Sequence, residues 1–330
     1  VTQLVGHAAA QAHILEIWRS GRVPHGWLIS GPSGIGKALL AQQFATFALA
    51  GSVPEGLQIA DDHPTARRMA SGGHADFVKV ERTENTTGTL REEIVVDDVR
   101  RIAPMFRRTA AEGGWRVALV DGADRMNPSA QNAILKILEE PPPQALIILT
   151  AEQPGRLLPT LRSRVHKLAL QPLGTEEVVA ILKRKLPTLE PDDFLMLAQL
   201  SEGSPGRAIE LQQTEGYQAC REFIALAEGA EAHNVLEFAE RHGRKGAEGS
   251  YNILARYIPE WLESVAKTAA GLGGDDVAYR LATRWGLART LALYDRTKAL
   301  LAEANGLYLD HKQVLLTILF MLHDPEKALA

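Results

Sequence analysis

Gly31-Pro32-Ser33-Gly34-Ile35-Gly36-Lys37 stands directly after the run Trp27-Leu28-Ile29-Ser30 and directly before a helical pattern through Leu39 and Leu40. No other feature of the 330 residues constrains the fold as tightly. Closely spaced glycines between a strand and a helix let backbone N–H groups curl around a phosphate, and the lysine that follows can neutralise its β and γ groups. Gly31, Gly34, Gly36 and Lys37 are therefore the candidate nucleotide-binding residues of a P-loop, since a chance glycine-rich turn would lack both flanking elements. The next position departs from the pattern. A Ser or Thr hydroxyl there would ligate Mg²⁺, and Ala38 offers only a methyl group.

Four further short runs read as strands: Phe77–Val80, Arg116–Asp121, Ala145–Thr150 and Val165–Leu168. Several lack a polar alternation, as strands covered on both faces do. Between the third and fourth strands of the chain, Asn127 is a good N-cap and Pro128 suits a first helical position. Ala133, Ile134, Ile137 and Leu138 supply an apolar face, and Pro141-Pro142-Pro143 stops the helix. Strand, helix and strand in that order predict a parallel α/β sheet. Within it, Val117-Ala118-Leu119-Val120-Asp121 has the form of a Walker B strand, four apolar residues ending in a carboxylate that can hold Mg²⁺. A hydrolytic P-loop protein places a Glu next to orient water, and here the residue is Gly122. Asp124 reads as a loop or pre-helix residue rather than a substitute base.

Strand signals stop near Gln171. Thr175 is expected to cap a helix ending near Pro187, with further helical segments over Phe194–Leu200 and from Ser204-Pro205. The pattern stays helical to the end, broken at 243–249 and 271–274, and the last helix begins near Asp310. Its Leu315, Ile318, Leu319 and Leu322 are expected to form an apolar stripe used in assembly, with packing inside the domain as the alternative. Three domains follow: a nucleotide-binding-type α/β domain over 1–171, a small helical domain over 172–213 and a helical domain over 214–330. The formal net charge of −4 argues against a main surface that grips DNA electrostatically. One cysteine, Cys220, excludes an internal disulfide and a four-cysteine zinc site. No basic-then-apolar leader opens the sequence and no run is long enough to span a bilayer, so a cytoplasmic protein with no membrane partner is expected.

The stretch Asn132-Ala133-Ile134-Leu135-Lys136-Ile137-Leu138-Glu139-Glu140-Pro141-Pro142, then Leu149-Thr150-Ala151-Glu152, then Leu161-Arg162-Ser163-Arg164, resembles the bacterial clamp-loader branch of the AAA+ proteins. The likeness runs from Val5-Gly6 to about Leu211, and the helical tail fits that branch's collar domain in length and pattern. It implies a RecA-like AAA+ domain, a helical lid and an all-α collar used for oligomerisation. It also implies a role in DNA replication within the DNA polymerase III holoenzyme, loading the sliding clamp on primed DNA. The partners implied are the motor gamma/tau and delta subunits, with clamp and primed DNA reached through the complex. Arg164 matches the branch's arginine finger, which would act in trans on a neighbour's ATP. Thr150 stands where the branch keeps a polar nucleotide sensor and is read here as a structural hydroxyl.

The departures from the branch matter as much. Val165 replaces the cysteine of its serine–arginine–cysteine motif. The stretch Gly51–His74 corresponds to its zinc module but holds only His63 and His74, so zinc is not expected. A phosphate-sensing arginine expected two residues after Gly203-Ser204 is Gly206, and Arg207 comes one residue late, a helical rotation of about 100°. The expected function is therefore a stationary, hydrolysis-deficient loader subunit that requires no cofactor. Two alternatives stay open: an autonomous AAA+ ATPase, which Ala38, Gly122 and Gly206 oppose, and an ATP-sensing module binding ATP or ADP weakly through Lys37 and Asp121. Lys37 can also serve only its own loop. Arg100, Arg101, Arg107 and Arg108 are read as a solvated helix face, with Asp97 and Asp98 at the helix start. Cys220 is read as packing.

Overall fold

The five runs read as strands become five strands of one parallel sheet in a computed structural model that describes residues 4–51, 56–83, 91–112, 114–229, 231–274, 276–307 and 309–324. The chain divides into two compact units, residues 1–173 and 174–330. The first unit runs α1 (Ala8–Arg19), β1 (Gly26–Ser30), α2 (Lys37–Ala50), α3 (Pro64–Ala70), β2 (Phe77–Val80), α4 (Val96–Arg100) and α5 (Ile102–Arg107). It continues with β3 (Arg116–Val120), α6 (Pro128–Glu139), β4 (Ala145–Ala151), α7 (Pro159–Arg162) and β5 (His166–Ala169). The strand order is β2-β3-β4-β1-β5. Inserting β4 between β1 and β3 reverses the winding beside β1, and such a switch point opens a crevice at the carboxyl ends of the strands.

Both faces of the sheet are covered, which explains the missing polar alternation. Trp27, Ile29, Val117, Leu119, Leu146 and Ile148 face one way and pack with Phe44 and Phe47 of α2. Leu28, Ala118, Val120, Ile147 and Leu149 face the other way, toward Ile134 and Leu138 of α6. The α6 start is as expected, with the Asn127 side chain accepting from the Ala130 N–H at 2.9 Å. Glu140 leaves helical geometry ahead of the three prolines. Arg116 holds a bend that sequence reading missed: from inside the fold its guanidinium donates to the carbonyls of Phe106, Arg108 and Pro143.

The second unit is all helical: α8 (Thr175–Lys185), α9 (Pro191–Leu200), α10 (Pro205–Leu211) and α11 (Glu215–Glu228), then α12 (Ala232–Gly243), α13 (Glu248–Ala269), α14 (Asp276–Leu307) and α15 (His311–His323). Two expectations need correction. Gly174, not Thr175, is the N-cap of α8, and Glu177 accepts its N–H at 3.0 Å. The α15 residues Leu315, Ile318, Leu319 and Leu322 are fully buried inside the unit, so the stripe is core rather than free surface. Phe320, nearly half exposed, is the large apolar residue that α15 leaves outside. A kink at Gly286 (φ 72°, ψ 164°) breaks α14 where only its left-handed φ marks the turn. Among the described residues, no helix is long and apolar enough to cross a membrane.

Candidate nucleotide-fold site

The glycine loop leaves β1 at Ser30 and wraps to the start of α2. Its glycines are needed for shape. Gly31, Gly34 and Gly36 all have positive φ, and a Cβ on Gly31 would lie 2.7 Å from the Leu170 carbonyl oxygen. The loop therefore keeps the backbone form of a phosphate cradle. Its own lysine is turned back onto it. Lys37 is buried, and its Nζ donates to the Pro32 carbonyl at 2.6 Å. Burial lowers its pKa, an effect that the carboxylates of Glu152, Asp124 and Asp121 partly offset. His7, before α1, adds a second tie through Nε2 to the Ile35 carbonyl at 2.7 Å.

Thr150 and Asp121 meet across the ends of β4 and β3, adjacent strands whose carboxyl ends finish side by side. The Thr150 hydroxyl donates to Asp121 Oδ1 at 2.7 Å and accepts the Gly122 N–H at 2.8 Å. Asp121 Oδ2 lies 3.6 Å from Lys79 Nζ, which also pairs with Glu81 at 2.6 Å. Both carboxylate oxygens thus face partners within the chain. Asp124 is buried and accepts the Gln153 N–H at 2.9 Å, in agreement with a loop role. Gly122 sits at φ 78°, a left-handed conformation that a glutamate would adopt only with strain.

Gly34, Gly36, Lys37, Ala38, Asp121 and Thr150 line one cavity of about 490 Å³, which brings five of the candidate residues together, with Gly31 at the loop's root. Its walls carry the carboxylates of Glu81, Asp121, Asp124 and Glu152 against the cations Lys37, Arg82 and Arg125. With Lys37 turned to its own loop, this is a poor balance for a triphosphate. The residues do not fit a Mg²⁺ site of the usual kind either: position 38 has no hydroxyl, and Asp121 is tied to Thr150 and Lys79.

Arg164 lies elsewhere. It precedes β5, which runs parallel to β1 with Trp27 opposite His166, whereas the glycine loop follows the far end of β1. About 10 Å of strand separates the two ends. The side chain is 40% exposed, its guanidinium donating through Nη1 to the Thr160 carbonyl at 3.0 Å and pairing through Nη2 with Glu139 at 3.2 Å. Its seat is built by residues to which sequence reading gave no structural role. Gly26 lets strand and loop approach closely, since a Cβ there would meet Leu138 Cδ2 at 2.6 Å and Val165 Cγ1 at 3.0 Å. His25 binds the Leu138 carbonyl at 3.0 Å, and the buried Gln131 ties the Met126 carbonyl to the Leu158 N–H. A His-Gly-Trp ahead of the loop and a polar residue on an apolar helix face were the available signals.

The remaining candidates are accounted for locally. Arg207 pairs with Glu202 at 3.2 Å. His63 caps α3 through Nδ1, and His74, buried, accepts the Asp76 N–H at 3.2 Å. Among the described residues no three of His, Cys, Asp and Glu gather as metal ligands; residues 52–55 of the Gly51–His74 stretch lie outside them. Arg100 pairs with Asp97 at 2.6 Å, and Arg101 donates to the Lys79 carbonyl. Cys220 is buried, and burial pushes its thiol up to about 12.

Five parallel strands in this order, a glycine loop after β1 and a carboxylate just after β3 define the RecA-like, AAA+ type of P-loop fold. The chain belongs to the family described as DNA polymerase III, delta subunit, whose model matches residues 6–174. It is 35% identical over 181 residues to DNA polymerase III subunit delta′ of Pseudomonas aeruginosa, covering 55% of this chain and 53% of that one. It is 33% identical over 216 residues to subunit delta′ of Escherichia coli K12, covering 65% and 62%. Subunit tau of Escherichia coli K12 is 25% identical over 321 residues, covering 88% of this chain and 48% of tau. The chain thus spans about half to three fifths of the length of the delta′ relatives.

Proposed function

We propose that this chain is the stationary, hydrolysis-deficient subunit of a replicative clamp loader, of the delta′ kind. It would assemble with motor gamma/tau and delta subunits, help load the sliding clamp on primed DNA, and supply Arg164 to a neighbour's ATP. The observation that carries this reading is the state of the P-loop: Lys37 is spent on the Pro32 carbonyl and Asp121 on Thr150 and Lys79. The place of Arg164 supports it as well. An arginine a strand's length from its own glycine loop, with a side chain 40% exposed, supports a role toward another chain's phosphates rather than its own. In this reading residues 172–213 act as lid and 214–330 as collar. The cavity of about 490 Å³ favours a second reading, a site that senses ATP or ADP without hydrolysing it.

The purified chain is expected to show no ATP turnover above background. A nucleotide titration with and without Mg²⁺ separates the two readings: an empty scaffold shows no saturable binding, and a sensor binds with little Mg²⁺ dependence. Turnover that Lys37→Ala abolishes would contradict both and make the chain a motor.

A further inference from the structure

Glu139 occupies an unfavourable place. It is the last residue of α6, where the aligned carbonyls favour cations, and Glu140 follows it as a second acid. Neither carboxylate serves the core, since both side chains are exposed. What Glu139 does hold is Arg164, with its Oε1 3.2 Å from Nη2. The other guanidinium contact, to the Thr160 carbonyl at 3.0 Å, is to a neutral group on the first turn of α7. The backbone beneath is fixed independently of this pair, by the close approach at Gly26 and by the bond from the Arg164 N–H to the Leu161 carbonyl at 3.1 Å. The side chain can therefore exchange partners while its base stays put.

We propose that Glu139 is a positioning residue that parks Arg164, and that the phosphates of a neighbouring subunit's nucleotide displace it. This rests on the trans role proposed above. Both groups keep two fifths or more of their side-chain surface in water, 40% for Arg164 and 44% for Glu139. A pair so exposed is weak, so exchange costs little; releasing the arginine gains at most about fivefold in nucleotide engagement. A buried pair would not let go. The carboxylate keeps the guanidinium from wandering when no phosphate is present, and yields when one arrives with more charge and a matching fork of oxygens.

The experiment uses the loader reconstituted with this chain and its motor and delta subunits, and reads ATP hydrolysis stimulated by clamp and primed DNA. Glu139→Gln is expected to lower the KM for ATP about 1.5- to 5-fold while kcat moves less, an effect that shrinks as added salt screens the pair. Glu139→Asp, which keeps the charge, is expected to return KM toward the parent value. In an Arg164→Ala background Glu139→Gln is expected to do nothing further. If Arg164→Ala impairs the loader but Glu139→Gln leaves KM unchanged or lowers kcat instead, the parking role is overturned and the finger stands. If Arg164→Ala has no effect, the trans role itself fails and the parking role with it.

Discussion

Gly122 bears on the proposed loss of hydrolysis through its backbone more than through the side chain it lacks. The hydrolytic pattern wants a glutamate after the Walker B aspartate, and position 122 has space for one. A Cβ there would meet nothing nearer than Arg125 Cγ at 3.7 Å. The obstacle is the backbone at φ 78°, which also aims the Gly122 N–H at the Thr150 hydroxyl, 2.8 Å away. Gly122→Glu is expected to cost about 1–2 kcal/mol of folding stability in urea melts, the usual penalty of a left-handed L-residue. It should not restore turnover even together with Ala38→Thr, because Asp121 stays engaged and Lys37 stays folded onto its loop. A stable, active double variant would show that the losses at 38 and 122 are superficial.

Among the elements, the strands were legible because burial on both faces leaves an unmistakable apolar run, and the α6 boundaries because Asn127, Pro128 and the three prolines act locally. The convergence of Gly34, Gly36, Lys37, Asp121 and Thr150 was legible from motif order alone. That Lys37 would turn inward was legible only as one of two alternatives, since the outcome depends on the loop's neighbours rather than on its spacing. The long-range holders Arg116, Gln131 and His25 were equally hidden, because each side chain serves carbonyls or N–H groups distant in sequence. The tail misled for a related reason. An apolar stripe on α15 looks the same whether it packs on a partner or on its own unit, and here it is core. The same packing moves the useful cut point. Asp193 of α9 is buried and pairs with Arg221 of α11 at 3.3 Å, and Arg256 of α13 holds Glu202 at 2.5 Å. A fragment ending at Leu173 is expected to be folded and monodisperse by circular dichroism and sedimentation. One ending at Gln213 is expected to aggregate, having kept α9 without the helices that cover it. Equal behaviour of the two fragments would contradict this division.

Over the whole molecule, three buried or half-buried histidines, in both units, make stability fall in acid. Burial lowers the pKa of His74, His166 and His242 from the ordinary 6.5; the charge of His13 adds to the lowering at His166, and Glu112 and Glu222 oppose it at the other two. The unfolded chain binds these protons more readily than the folded one, so protonation favours unfolding. Their contribution is complete above about pH 6.5 and is lost as pH falls through the lowered folded values. Urea melts between pH 7.5 and 5 are expected to show stability dropping below 6.5, with a shallower slope for His74→Gln; identical slopes would deny His74 a share.

Under the proposed function, this chain has given up its own nucleotide chemistry and kept one arginine for a neighbour's. The most direct test is the clamp- and DNA-stimulated ATPase of a reconstituted loader carrying Arg164→Ala or Arg164→Lys in this subunit. An arginine finger contributes about 10³–10⁵ in rate at the site it serves, and lysine's single point charge cannot match its two-pronged contact. Both variants are therefore expected to assemble normally and to lose the turnover of one site while the others continue. Undiminished turnover with Arg164→Ala would contradict the account and leave this subunit contributing shape alone.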